Sequence, residues 1–164
     1  MRRIIQNIDS KTHNDNYDLF NRIVALIFSE NGCLDSEKQG DIRLVVSEMT
    51  ANCRKHAKDP ENPGMVTVEA IVDGRRLSIT ITSDSIAEGR PNIELEYRKI
   101  LAGVPCNFMA EESKLGLRMA YALTESFEIG ERSIGFTIDL GIRMDIHAVT
   151  ERRQSATLCV AAAV

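Results

Sequence analysis

The sequence predicts an α+β fold, a two-layer sandwich in which a mixed sheet packs on helices. Three observations predict it. Strand alternation and helical periodicity fall in separate blocks, in the order strand, two helices, hairpin, long excursion, helix, hairpin. Segregated blocks of this kind favour α+β over a strictly alternating architecture. The chain has 164 residues, 43% of them hydrophobic, enough for one buried core without disulfide or metal staples. No repeat or low-complexity linker divides it.

Each block has a local cause. Arg3 to Ile8 alternates apolar and polar residues, as a strand does. Tyr17 to Glu30 places Leu19, Phe20, Ile23, Val24, Leu26 and Ile27 at helical spacing, and Asn31-Gly32 supplies a left-handed stop. Asp41 to Lys58 is a second helix with Ile42, Val45, Val46, Met49 and Cys53 as its apolar stripe. Asp59-Pro60 ends it. Residues 65–73 and 75–83 alternate around Asp73-Gly74, a hairpin signal. Asp84 to Glu112 is a long, partly helical excursion, either a functional lid or a surface crossover, with a short helix near Ile93 to Leu101. Ser113 to Leu123 is a third main helix, and Ser126 to Glu131 with Ile134 to Met144 forms a closing hairpin turned at Arg132-Ser133. Residues 143–164 are an extension whose apolar end suits an edge strand or a partner-facing tail.

Composition excludes several functions. Twenty-four acidic against 20 basic residues give a net charge of −4, against a chain whose main task is non-specific nucleic-acid binding. The longest apolar stretches fall far short of the roughly 20 residues of a membrane span. The N-terminus has no apolar region of signal-peptide type. Cys33, Cys53, Cys106 and Cys159 form no CxxC pair and no metal spacing. A cytoplasmic chain with reduced thiols is expected.

The chemistry concentrates on the second helix. Glu48, Asn52 and His56 stand at i, i+4 and i+8, a polar row along one helix side. An Asn amide oxygen is a ligand for Mg²⁺, which commonly bridges nucleotide phosphates. A glutamate one turn away can take a proton from an incoming hydroxyl. His56 can donate to phosphate or orient the row. On spacing alone, a solvated helix face with a satisfied histidine is the better explanation of the row.

The letters around the row add to it. The run Val46-Ser47-Glu48 … Asn52 … Lys55-His56-Ala57 closely resembles the N-box of the bacterial anti-sigma-factor serine kinases, members of the GHKL superfamily with the Bergerat ATP-binding fold. The resemblance covers about residues 1–142. It implies ATP and Mg²⁺ as cofactors, Glu48 as the catalytic base and Asn52 as both ATP and metal ligand. It also implies ATP contacts at His56 and at Asp84, the latter to the adenine amino group. Ser113, Lys114, Leu115, Gly116 and Leu117 are similar to the family's second glycine box, where helix N-terminal N–H groups cradle phosphates. The implied function is phosphorylation of a small antagonist protein in a partner-switching circuit. A sigma factor or the antagonist is the implied partner, and a homodimer is compatible with it.

The sequence departs from that pattern at three glycine positions, which hold Ile86, Glu88 and Lys114. None relieves close backbone approach as glycine does. A second function class therefore stands beside the kinase: a catalytically weakened relative kept as a protein-binding regulatory module.

Overall fold

The computed structural model describes residues 1–9, 13–32, 34–55, 57, 64–105 and 112–141. The elements, in chain order, are β1 (Arg2–Asp9), α1 (His13–Asn31), α2 (Ser36–Lys55), β2 (Met65–Asp73), β3 (Arg76–Thr82), α3 (Asp84–Leu101), α4 (Glu112–Ala122), β4 (Ser126–Ile129) and β5 (Ser133–Asp139). The five strands form one sheet in the order β1-β2-β3-β5-β4.

Every pairing in this sheet is antiparallel, so the expected mixed sheet is corrected. The cause is clearest between β1 and β2. A single crossover helix returns a chain parallel to the strand it left, but here two helices intervene and the chain re-enters from the opposite end. The α+β class and the two layers stand.

Alternation decides which face is buried. In β2 and β3 every second residue is buried, Val66, Val68, Ala70 and Val72 against Leu77, Ile79 and Ile81. Ile134, Phe136 and Ile138 continue the face on β5. Leu19, Ile23 and Ile27 of α1 and Ile42, Val45, Val46 and Met49 of α2 complete one core. The other sheet face carries Thr67, Glu69, Ser78, Thr80 and Thr137, all half-buried.

Two turns depend on glycine. Gly32, at φ 78°, closes α1 as the sequence predicts, its N–H donating to Phe28 O at 2.9 Å. In the β2–β3 hairpin Asp73 pairs with Arg76, which makes Gly74 and Arg75 the two loop residues. Gly74, at φ 58°, takes the first loop position, the arrangement of a type II′ turn.

The largest departure from expectation is α3. It starts directly after β3 and runs 18 residues, where the sequence suggested an irregular lid with a helix only from Ile93. Gly89 and Pro91 interrupt the helical pattern in the sequence. Pro91 is accommodated within α3 all the same. Packing explains it: Ile86 is fully buried, and Ile93, Tyr97 and Ile100 pack on the core. Tyr97 meets Tyr121 of α4 edge-on at 5.8 Å and Phe127 of β4 at 5.5 Å, and its hydroxyl donates to Phe127 O. Tertiary contact outweighs the helix-breaking tendency of the two residues.

Candidate functional site

Helices α2, α3 and α4 enclose a cavity of about 310 Å³, at the small end of the range for ligand pockets. Its walls are mainly apolar, with Met49, Ile86, Ile93, Leu117 and Ile134 contributing, and its polar groups come from Asn52, Cys53, Ser85, Asn92, Glu96 and Lys99.

Glu48 and Asn52 lie together on α2, one turn apart and half-buried. Gly116 of α4 lies directly over them. A Cβ built on Gly116 would collide with Glu48 Oε2 and would stand 3.3 Å from Glu48 Cδ and 3.4 Å from Asn52 Nδ2. Glycine here leaves room for the Glu48 carboxylate and is not used for its backbone freedom, since Gly116 lies inside a helix. Leu117, the next residue, is buried and lines the cavity. Ser113, Lys114 and Leu115 have their backbones in the first turn of α4, where the N–H groups of Ser113 and Lys114 have no acceptor within the helix. Their side chains, and His56 altogether, lie outside the described residues.

Asp84 lies elsewhere than expected. The inward-facing series Leu77, Ile79, Ile81 continues onto Ser83, which is buried, so Asp84 takes the outward parity. It is the first residue of α3, its side chain 79% exposed and ion-paired with Arg132. It does not line the cavity. An acidic residue suits a helix start, and other polar groups stand at this end of the cavity.

Those groups are Ser83, Ser85 and Cys53. Ser83 caps α3, accepting from Ser85 N at 3.3 Å, and the two hydroxyls stand 2.9 Å apart. The Cys53 thiol is within hydrogen-bonding reach of both. Burial pushes that thiol up to about 11 from its ordinary 9.0, against the smaller opposing effect of the two serines. Between those values the folded state keeps a proton that the unfolded state has lost. Stability therefore falls as pH rises from about 9 to about 11, by an amount on the order of 2 to 3 kcal/mol. Urea denaturation at pH 8 and pH 10.5 will show this loss, and Cys53→Ala will remove most of it.

At the other end Glu96 is buried and accepts from Arg118 Nε at 3.0 Å and Nη2 at 2.6 Å, with Lys99 Nζ at 3.5 Å. Arg118 also donates to Val104 O at 2.7 Å, so one side chain joins α4 to α3 and to the residues after it.

Several site residues escaped the sequence reading. Ser85, Asn92, Glu96 and Lys99 lie on α3, which was expected to be largely a lid. The available signal was Ile86, Ile93, Tyr97 and Ile100 at helical spacing across the two breakers. Cys53 read as packing, and it packs, but it also lines the cavity.

The comparisons bear on this geometry. Residues 14–141 match the histidine kinase-like ATPase domain. The chain belongs to that family. The GHKL-type resemblance and the fold class expected from the N-box are thereby borne out. Among solved structures, one that resembles this family member contains the RsbU and RsbW domains of Rv1364c from Mycobacterium tuberculosis. It has 15% identity and a TM-score of 0.49, and the match covers 84% of this chain and 32% of that one. This chain therefore spans about a third of the length of the matched protein. No curated protein matches the chain.

An ATPase domain implies nucleotide, typically with Mg²⁺, and the residues fit that group at one end. The Glu48–Asn52–Gly116 corner provides an oxygen ligand, a carboxylate and a close backbone approach that a Cβ would fill. Among the described residues no helix is long and apolar enough to cross a membrane. None of them forms a cluster of three or more metal-ligating His, Cys, Asp or Glu side chains.

Proposed function

We propose that the chain is an anti-sigma-factor-like regulatory protein kinase domain. It binds Mg-ATP in the cavity between α2, α3 and α4 and phosphorylates a serine of a small antagonist protein. The observation that carries this reading is the packing of Gly116 onto Glu48 and Asn52, which brings the N-box row and the second glycine box into contact.

When bound, Mg-ATP supplies the transferable γ-phosphoryl group and the metal charge that offsets charge on the phosphates. Asn52 would hold the metal through its amide oxygen. Glu48 would accept the proton of the attacking serine hydroxyl, and the first-turn N–H groups of α4 would hold phosphate oxygens. The backbone positions of Ser113 and Lys114 in that turn support such a role for them, and Leu115 follows in the same turn. His56 keeps the role the resemblance implies, a contact to ATP. The apolar walls exclude water and orient the base. Positioning and charge stabilisation are the main contributions a protein makes to such a transfer. A cytoplasmic setting, a sigma factor or antagonist as partner and a homodimer belong to the same proposal.

A second reading has its own support. Ile86 is buried in the cavity wall, and Asp84 is held outside by Arg132. Both suit a relative that retains the fold for protein contact with weakened turnover.

Phosphoryl transfer separates the two. Purified chain, labelled Mg-ATP and candidate antagonist proteins should give serine phosphorylation that falls by about 10²–10⁴-fold in Glu48→Ala. Nucleotide binding without any transfer would favour the protein-binding module.

A further inference from the structure

We infer that the cavity accepts purine nucleotides without selecting between adenine and guanine, because one polar end of it is the hydroxyl and thiol cluster of Ser85, Ser83 and Cys53. This rests on the nucleotide-binding reading and adds the substrate class to it.

Ser85 lines the cavity and is itself almost fully buried. Its hydroxyl carries one donor and two acceptor positions, and the hydrogen rotates to suit its neighbour. Ser83 beside it, and Cys53, which also lines the cavity, can each donate or accept in turn. The chain of groups can therefore reverse direction. It can present an acceptor to the exocyclic amine of adenine or a donor to the carbonyl oxygen of guanine.

The charged groups near the cavity do not restore selection. Asp84 is on the outward parity and is tied to Arg132, and Ser83 N also donates to Arg132 O at 3.0 Å. The β4–β5 loop thus holds both residues in place. Glu96 also lines the cavity, but it lies eleven residues beyond Ser85, about 16 Å along the helix. Its carboxylate is engaged by Arg118 and Lys99. The walls near the cluster, Met49, Ile86 and Ile134, offer contact to the flat face of either purine.

Calorimetric titration of the full chain with ATP and with GTP, each at equal Mg²⁺, tests the inference. The expected dissociation constants agree within about tenfold. Ser85→Ala should weaken both nucleotides together, by about two- to tenfold. Ser85→Asp, which fixes an acceptor, should shift the ratio toward ATP by about tenfold or more. A wild-type preference beyond tenfold for either purine overturns the inference and leaves the nucleotide-binding reading intact. A folded Ser85→Asp with an unchanged ratio also overturns it. Absence of binding by both nucleotides up to millimolar concentration overturns that reading and this inference together.

Discussion

Gly116→Ala is expected to lower phosphoryl transfer by about a hundredfold while leaving the domain as stable as before. The two effects come apart because of what the new methyl group meets. Its nearest neighbour is Glu48 Oε2, the far end of a flexible side chain, and Asn52 Nδ2 is 3.4 Å away. The carboxylate can swing aside, so the fold does not have to yield. Alanine inside a helix is also favoured over glycine by about 1 kcal/mol, which offsets the crowding. Displacing the proposed base and crowding the proposed metal ligand is costly in another way, since a misplacement of about 1 Å can reduce rate by about 10²-fold. Thermal unfolding and transfer rate, measured on one preparation, will show the separation. A variant with unimpaired transfer would remove Gly116 from the site, and one that fails to fold would make its role structural.

Arg118→Met is expected to destabilise the domain by about 3 to 5 kcal/mol, because it leaves the Glu96 carboxylate buried without the guanidinium that donates twice to its Oε1. Lys99, at 3.5 Å and more exposed, recovers only part of the loss. The double variant Glu96→Leu with Arg118→Met should regain most of the stability, since apolar groups of similar volume often replace a buried ion pair at little cost. Urea denaturation of the wild type, both single variants and the double variant gives the coupling. A single-variant loss below about 1 kcal/mol would mean that solvent reaches the pair. The position of this pair gives it a consequence beyond stability, for it fastens α3 across the cavity.

The fold was legible where pattern and packing agree. Strict alternation in β2 and β3 locates both strands, and the apolar stripe of α2 orients Glu48 and Asn52 together. Gly32 and Gly74 mark turns that need positive φ, and both have it. The antiparallel sheet was less legible, because strand direction depends on how helices return the chain and not on any residue within a strand. Helix α3 was half legible. Gly89 and Pro91 suppress the local signal, while the burial of Ile86 and the ring contacts of Tyr97 hold the helix through long-range packing.

At the site, one residue of parity made the difference. Asp84 follows an alternating strand and sits where a motif comparison places an adenine-binding acid. The inward series ends on Ser83, however, and Asp84 faces Arg132. A slip of one position along a strand exchanges the buried and exposed faces, and letters aligned without that phase do not reveal it. Gly116 shows the opposite case. Its letter was recognised as part of a glycine box, but its steric role over Glu48 required the contact between α2 and α4.

The central claim is that Glu48, Asn52 and Gly116 form the working corner of a nucleotide site. Calorimetric titration with Mg-ATP, comparing the wild type with Asn52→Ala, tests it most directly. The account predicts micromolar binding by the wild type and a loss of about tenfold or more in the variant, with Mg²⁺ required for the difference. No binding by a folded wild-type chain up to millimolar Mg-ATP, or equal binding by the two proteins, would contradict it.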